Sequence, residues 1–260
     1  MQFSLLTYNT LLNDAQKELR DIFRIHKPDI VCLQEVDTSP ENIESIEKLG
    51  YVLADYSNGF IKFGKVFGVA TFYKKTRFAF ISSKSITLPR GLGEAIAFIL
   101  RVFKTQKKDR TVLKTVFKTI EGDSLVVYNI HLSAHGTNGI RIKQLDKTLK
   151  DIHIDTKKPT ILVGDFNYPY GRKKLEELMQ VNGFAEATAA IPFTTDGKLI
   201  HYAFLEKVLM RMSQFVFGRL HKLDYCFFKN CNVISASKIN AYYSDHFPIL
   251  ARFEITNTIL

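Results

Sequence analysis

The tetrapeptide Gly164-Asp165-Phe166-Asn167 follows directly on the apolar run Thr160-Ile161-Leu162-Val163. A short apolar run of this kind predicts a buried strand, and the glycine with its short polar neighbours predicts that the strand ends there. In open α/β sheets, ligand sites are built where the strands end. In such a sheet the junction would place Asp165 and Asn167 at a site, although a strand that ends in Gly-Asp is as often a plain turn.

Further segments have the same form, an apolar strand that runs into polar residues. The polar residues are, in chain order, Asn9, Glu35, His131, Asp224 and the pair Asp245 and His246. Each position alone has an ordinary structural explanation, because turns favour Asn and Asp, and a histidine after a strand is commonly a surface residue. The ordered set indicates that the positions act together.

The segments TYNTL, LQEV, YNIHLS, GDFN, LDY and SDHFPI resemble the motifs of the endonuclease/exonuclease/phosphatase superfamily, over about Phe3 to Phe253. Members of that superfamily are similar to DNase I, apurinic endonucleases, sphingomyelinases and inositol polyphosphate phosphatases. The resemblance implies an α/β four-layer sandwich, in which two stacked mixed β-sheets are flanked by helices. It implies phosphoester hydrolysis and leaves the substrate open, because all these branches share the motifs.

Three residues are candidate metal ligands. Phosphodiester hydrolysis needs a hard cation, a positioned water and donors for the developing charge. Carboxylate and amide oxygens suit Mg²⁺ or Mn²⁺, and Asn9, Glu35 and Asp245 would supply them. The resemblance implies that Glu35 is the principal ligand.

Five residues are candidate catalytic groups through the resemblance. It implies that Asp165 orients or deprotonates the attacking water and that Asn167 donates a hydrogen bond to the phosphate. His131 and His246 would flank the scissile phosphate and stabilise its extra charge. Asp224 would orient His246, since a carboxylate bonded to one ring nitrogen fixes the tautomer and raises the basicity of the ring.

Two local geometries follow from spacing. Asp165 and Asn167 are two residues apart, so they point to the same face if the strand pleat persists. Asp245 and His246 are adjacent, so on a strand they would face oppositely, whereas on a preceding loop both could reach the site. The sequence leaves both possibilities open.

Net charge bears on the substrate. Lys and Arg number 36 against 26 Asp and Glu, which gives a formal charge of +10. Such a field favours polyanions, either nucleic acid or an anionic lipid surface. Arg172, Lys173 and Lys174 closely follow GDFN, and we interpret them as substrate-binding, together with Tyr168, which could stack on a base or sugar.

We expect a single domain over residues 1–260, since no linker or repeat divides the chain. Met1-Gln2-Phe3 leads directly into the first predicted strand, which argues against an export signal. No apolar run approaches the length of a membrane span. The three cysteines form no disulfide framework, which is typical of the reducing cytoplasm.

Hydrophobic patterning predicts eleven strands and four helices. The strands are expected near 3–8, 29–34, 51–55, 66–74, 77–86, 111–120, 124–131, 160–165, 223–229, 231–237 and 247–255. The helices are expected near 14–26, 40–49, 138–152 and 172–181. The helix over 138–152 buries a stripe formed by Ile142, Leu145, Leu149 and Ile152, and its other faces carry Arg141, Lys143, Lys147 and Lys150.

Two apolar inserts, near 93–108 and 202–220, depart from the minimal pattern of the superfamily. They could pack on the domain and extend its core. They could form a hydrophobic and basic rim that meets a membrane, or bind a protein partner or a second copy of the chain. The oligomeric state stays undetermined at this level.

The function predicted is a Mg²⁺- or Mn²⁺-dependent nuclease that cleaves DNA or RNA by in-line attack of an activated water. The leading alternative is a phospholipid or sphingolipid head-group phosphodiesterase that uses the inserts as membrane contacts. A phosphatase acting on inositol phosphates or nucleotides is a third possibility. The chain has no Trp, which disfavours the apurinic endonucleases, and its intact set of site residues disfavours an inactive binding module.

Overall fold

The computed structural model describes residues 1–90, 111–134, 137–154, 157–197 and 220–256. The strands in these residues are β1 (Gln2–Asn9), β2 (Ile30–Asp37), β3 (Val52–Lys62), β4 (Lys65–Tyr73), β5 (Phe78–Thr87), β6 (Thr111–Thr119), β7 (Ser124–His131), β8 (Thr160–Asp165), β9 (Ala185–Glu186), β10 (Asp224–Lys229), β11 (Asn232–Lys238) and β12 (Ile249–Glu254). The helices are α1 (Gln16–His26), α2 (Pro40–Glu47), α3 (Asn138–Ile152) and α4 (Arg172–Val181). All predicted elements are confirmed; β3 is longer than predicted, and the two-residue β9 was not predicted.

The strands form two mixed sheets of six. The first has the order β11-β12-β1-β2-β4-β3 and the second the order β5-β6-β7-β8-β10-β9. Each sheet contains one parallel pair, β1 with β2 and β7 with β8. The remaining pairs are antiparallel. The carboxyl ends of the four parallel strands therefore define one functional edge in each sheet.

Alternation along the strands builds four layers. In β2, Ile30 and Cys32 belong to a core that lies between the two sheets, where they meet residues of β7 and β8. Val31 and Leu33 point the other way, into a core shared with α1 and α2. The second sheet has the same arrangement and packs its outer face on α3 and α4. Because both faces of the central strands are buried, they are nearly continuous apolar runs, and the predicted four-layer sandwich is confirmed.

Helix α3 differs from its prediction at one position. Lys143, Lys147 and Lys150 are exposed as expected, but Arg141 is buried. Its guanidinium donates to the carbonyl oxygens of Ser133, at 2.9 Å, and Ala134, at 3.1 Å. Helical periodicity assigns a face but not the backbone that the face meets, and here the loop after β7 needs donors for its carbonyl groups. No helix in the described part of the chain is long and apolar enough to cross a bilayer.

The two apolar inserts lie outside the described residues, apart from Leu220. The described residues that flank the first insert are at the functional edge, because Thr87, which ends β5, pairs with Thr111, which begins β6. The start of β6 lies beside the end of β7. On the second insert's flanks, Thr195 forms bridges with both His221 and His246. The three interpretations of the inserts stay predictions.

Candidate active site

The polar residues at the strand ends meet at the functional edge of the two sheets. Asn9 ends β1, Glu35 lies near the end of β2, and His131 and Asp165 end β7 and β8. The Asn9 Nδ2 donates to Asp165 Oδ2 at 3.0 Å, which joins the two sheets directly. His131 Nε2 lies 3.6 Å from Asp165 Oδ2 and 3.7 Å from Glu35 Oε1. The predicted strand ends therefore converge.

A β-bulge sets the direction of Glu35. The pairing of β2 with β4 shifts register between Gln34 and Val36, and Glu35 has a φ of +52°. A bulge places an extra residue outside the ladder and re-aims its side chain. As a result Glu35 is partly exposed while Gln34 and Val36 on either side are buried. The carboxylate is thus presented at the functional edge.

A tight turn after β8 brings Asn167 back to Asp165. The strand ends at Asp165, so the pleat does not continue, and Asn167 has a φ of +48°. The backbone N–H of Asn167 donates to Asp165 Oδ1 at 2.8 Å, and its Nδ2 donates to Asp165 Oδ2 at 2.9 Å and to the carbonyl oxygen of Leu132 at 3.2 Å. The two residues lie together because of these bonds and not because of strand alternation.

Asp224 holds His246 as the resemblance implied. Asp224 Oδ2 is 2.7 Å from His246 Nδ1, the distance of a charge-assisted hydrogen bond, and both residues are buried. Thr194 Oγ1 donates to the same Asp224 oxygen at 2.7 Å. The Nε2 of His246 is 3.9 Å from Asp165 Oδ2, so the ring faces the centre of the site.

Asp245 and His246 lie on a loop, which resolves the choice left open by their spacing. The strand β12 begins only at Ile249, so both side chains can turn toward the site. Ser244 Oγ donates to the carbonyl oxygen of Asn9 at 2.8 Å and fastens this loop to the end of β1. Both residues are buried, as expected for groups inside a cleft.

Burial and mutual repulsion shift the protonation of these groups. Burial raises the pKa of Asp165, although His246 partly opposes the shift. Burial also raises the pKa of Asp245. Burial alone would lower the pKa of His246, but the carboxylates of Asp224 and Asp165 outweigh it and raise that pKa well above its ordinary value. The site holds more buried negative charge than its own residues neutralise.

The donor set fits a hard divalent cation. Asp245 Oδ1 is buried and has no hydrogen-bond partner among the described residues, an arrangement that is costly unless a cation binds there. Glu35 adds a second carboxylate. Asn9 Oδ1 already accepts the N–H of Leu11 at 3.0 Å, so only its second lone pair could bind a metal, and its role as a ligand stays a prediction.

Another group of close ligand atoms has a different explanation. In the described part of the chain, ligand atoms of Asp165, Asp224 and His246 lie within 4.8 Å of one another. The short Asp224–His246 contact within this group is a hydrogen bond with the geometry of an oriented histidine. We therefore interpret these three residues as proton-handling groups and Glu35 with Asp245 as the ligand pair.

The predicted substrate-binding residues have different environments. The Tyr168 ring is only 2% exposed and packs in the core under α3 and α4, so its prediction as a stacking residue is wrong. Arg172 forms ion pairs with Glu176 and Glu186, which occupy its guanidinium. Lys173 and Lys174 are exposed in the first turn of α4. Only these two lysines of the predicted set are available to a polyanion.

Sequence reasoning missed residues that support the site. Gln34 and Asn129 are completely buried, and Gln34 Nε2 donates to Asn129 Oδ1 at 2.8 Å, which links the two sheets beneath Glu35 and His131. The sequence does contain a signal for these two residues, because each is a polar residue inside an otherwise apolar strand. Thr194, which bonds Asp224, had no such signal.

Comparisons with known proteins agree with this geometry. Residues 6–246 match the model of the endonuclease/exonuclease/phosphatase family. UPF0294 proteins of Yersinia pseudotuberculosis and Yersinia pestis are 30% identical over 147 residues, which cover 56% of this chain and 48% of theirs. The chain thus spans about half the length of the curated relatives it matches.

Solved structures share the fold at low identity. The catalytic domain of human Nocturnin is 20% identical, with a TM-score of 0.71 over 98% of this chain and 95% of that one. ANGEL2, a 2′,3′-cyclic phosphatase, is 16% identical, with a TM-score of 0.69 over 98% and 95%. A family protein from Bacteroides thetaiotaomicron is 15% identical, with a TM-score of 0.70 over 98% of both chains. With motifs, fold and site in agreement, this chain belongs to the endonuclease/exonuclease/phosphatase family.

Proposed function

We propose that this protein is a Mg²⁺- or Mn²⁺-dependent phosphodiesterase that hydrolyses nucleic acid. The observation that carries the proposal is the convergence of Glu35, Asp165, His131 and His246 at one edge of the fold. The buried Asp245 precedes His246 on the loop that Ser244 fastens to the end of β1. This is the set that in-line attack of water on a phosphodiester requires.

Each residue has a task in that reaction. A bound cation, held by Glu35 and Asp245, would supply Lewis acidity to a non-bridging phosphoryl oxygen. Asp165, with its raised pKa, is suited to accept a proton from the attacking water. His246, oriented by Asp224, donates a hydrogen bond from Nε2 to the developing charge, and His131 donates a second one.

The hairpin between β3 and β4 supports a polyanionic substrate with bases. Because β4 runs antiparallel to β2, the hairpin tip lies at the functional edge beyond Glu35. The tip carries Lys62, whose ammonium lies 5.1 Å from the centre of the Phe63 ring, and Phe63 is 74% exposed. Lys65 at the same tip is paired with Asp37. A lysine beside an accessible aromatic ring suits a phosphate and a base together. The exposed Lys173 and Lys174 and the formal charge of +10 also favour a polyanionic substrate.

Two further observations support the substrate class and the compartment. The structural neighbour ANGEL2 is a 2′,3′-cyclic phosphatase, and it has been solved with adenosine-2′,3′-vanadate, which carries a nucleoside. Cys32 and Cys226 are free, buried thiols, and Cys231 is also free. Free thiols without a disulfide are typical of the cytoplasm, which we propose as the location.

The test is Mg²⁺-dependent turnover of a panel of substrates by the wild type and the Glu35→Ala variant. The panel contains single- and double-stranded DNA, RNA, sphingomyelin vesicles and an inositol polyphosphate. We expect cleavage of nucleic acid that is lost in the variant. Turnover of the lipid or of the inositol phosphate with inert nucleic acid would contradict the proposal and favour the alternative functions.

Salt dependence provides a second test with a matched control. Replacing Lys173 and Lys174 with Ala should reduce the slope of log affinity against log salt by about 2, since each phosphate contact contributes about 1. Lys75 and Lys118 are also exposed but lie toward the opposite edge of the sheets. Their double replacement should leave the slope unchanged. Equal effects of the two double variants would contradict a substrate path along α4.

A further inference from the structure

The carboxylate of Glu18 connects three parts of the structure. Glu18 lies in the first turn of α1. Its Oε1 accepts hydrogen bonds from the Tyr8 hydroxyl, at 2.5 Å, and from the backbone N–H of Tyr243, at 3.3 Å, while its Oε2 accepts the backbone N–H of Tyr242 at 3.0 Å. One side chain therefore ties α1 and β1 to the loop between β11 and β12.

That loop carries a proposed metal ligand. Tyr242 and Tyr243 lie beyond the end of β11 at Lys238 and shortly before Asp245. Their side chains are 75% and 47% exposed, so burial of the rings contributes little to holding this part of the loop. The hydrogen bonds that these two backbone N–H groups donate to Glu18 thus fix the chain two to three residues before Asp245.

The other end of the connection is rigid. Tyr8 is 1% exposed within β1, and it directly precedes Asn9, which contacts Asp165. The Tyr8 hydroxyl donates to the carboxylate of Glu18. Hydrogen bonds to a carboxylate are about twice as strong as neutral ones. Glu18 therefore fixes the position of the loop relative to the end of β1, which supports the site.

We propose that Glu18 is a positioning residue for the divalent-cation site. Through the backbone of Tyr242 and Tyr243 it sets the position of the buried Asp245 Oδ1, and thereby the affinity for the cation. The inference rests on the proposed function, because it takes Asp245 as a metal ligand. Glu18 itself does not contact the cation or the substrate.

The test measures Mn²⁺ binding by the full chain, from the electron paramagnetic resonance signal of free Mn²⁺. In Glu18→Gln, the amide nitrogen cannot accept a hydrogen bond, so one anchor of the loop is lost. Supporting residues of metal ligands typically contribute 10- to 100-fold in affinity, and we expect binding about tenfold weaker. Tyr8→Phe removes the phenol hydroxyl, which bonds Glu18 and also interacts with the Ser244 side chain, and should weaken binding in the same direction by a smaller factor.

A control on the same helix separates this effect from a general loss of charge. Asp21 pairs with Arg24, and both side chains are well exposed. Asp21→Asn should bind Mn²⁺ as the wild type does. Hydrolysis of bis(p-nitrophenyl) phosphate by Glu18→Gln should approach the wild-type kcat at saturating Mn²⁺, because the ligands and catalytic groups are intact.

Two reference variants, Glu35→Gln and Asp245→Asn, separate failure of the inference from failure of the proposed function. If neither reference variant weakens Mn²⁺ binding, the metal site is wrong and the inference falls with it. If both do, but Glu18→Gln and Tyr8→Phe bind normally, the inference alone is overturned. A lower melting temperature of Glu18→Gln with unchanged Mn²⁺ affinity would also overturn it, since it would indicate a purely structural role. If Glu18→Gln does not fold, Tyr8→Phe decides.

Discussion

Gly164 allows a sharp test of how the functional edge is built. It pairs with Ile130 across the parallel strands β8 and β7, and its φ is +135°. A Cβ atom at this position would lie 2.1 Å from the carbonyl oxygen of Ile130, a contact with a backbone atom that no side-chain rotation can relieve. Gly164→Ala must therefore push the two strands apart.

The expected magnitude has two parts. The positive φ costs an alanine about 1–3 kcal/mol, and forcing an extra group into a packed contact costs about 1–3 kcal/mol more. The free energy of unfolding should thus fall by about 2–6 kcal/mol. His131 and Asp165 directly follow the displaced residues, and the contact needs about 1 Å of extra separation. A misplacement of about 1 Å in catalytic geometry costs about 100-fold in rate.

The matched control is Gly122→Ala. Gly122 has a φ of +97°, but a Cβ there would meet nothing within 4 Å, so only the backbone penalty applies, about 1 kcal/mol. Urea denaturation followed by circular dichroism gives the stabilities, and Mg²⁺-dependent hydrolysis of bis(p-nitrophenyl) phosphate gives kcat. The reasoning is refuted if Gly164→Ala is no less stable and no less active than Gly122→Ala.

Three further predictions concern supporting residues. Thr194→Val removes a hydroxyl that donates to Asp224, so kcat should fall about tenfold with little change in KM, measured on the same substrate; an unchanged kcat would count against the role. Asn129→Leu removes three buried hydrogen bonds between the sheets, to Gln34 and to the carbonyl oxygens of Leu33 and Ala70. It should cost about 2–4 kcal/mol in urea denaturation, whereas a neutral result would contradict the bridge. Burial would raise the pKa of Asp151, but hydrogen bonds from two lysines and a tyrosine outweigh it and lower that pKa. Its contribution is therefore present above the unfolded pKa of 3.8 and is lost as pH falls toward the native value. Asp151→Asn should lower stability by about 2 kcal/mol near pH 7 and flatten its decline below about pH 4, and a parallel decline would refute this.

The fold could be predicted because short segments of the sequence determine most of its strands and helices. Apolar runs bounded by turn residues locate the central strands, and helical periodicity locates α3. The same reasoning placed Arg141 on an outer face, because periodicity does not reveal that the carbonyl groups after β7 need its guanidinium. The two-residue β9 is too short to leave a pattern.

That the candidate site residues converge could be predicted from their order, but their geometry could not. Strand alternation assigns faces only while the ladder is regular, and Glu35 and Asn167 both depart from it with positive φ angles. The stacking prediction for Tyr168 was wrong for a related reason. The chain turns after Asp165, and the ring packs inward against the helices and not toward the site.

The architecture separates the groups that perform chemistry from the groups that choose the substrate. The candidate catalytic residues lie at strand ends or on loops fastened to them, and the two sheets are locked together by the Asn9–Asp165 and Gln34–Asn129 hydrogen bonds and by the core between them. On the flank of the second insert, Thr194 bonds Asp224 and Thr195 bridges His246, so this flank supports the site. The hairpin tip with Phe63 and the described flanks of the first insert, at the same edge, are not part of that lock. Because the lock does not depend on them, those connections can vary without disturbing the metal and proton-transfer geometry. This explains how the catalytic motifs identify the family while leaving the substrate to be found by experiment.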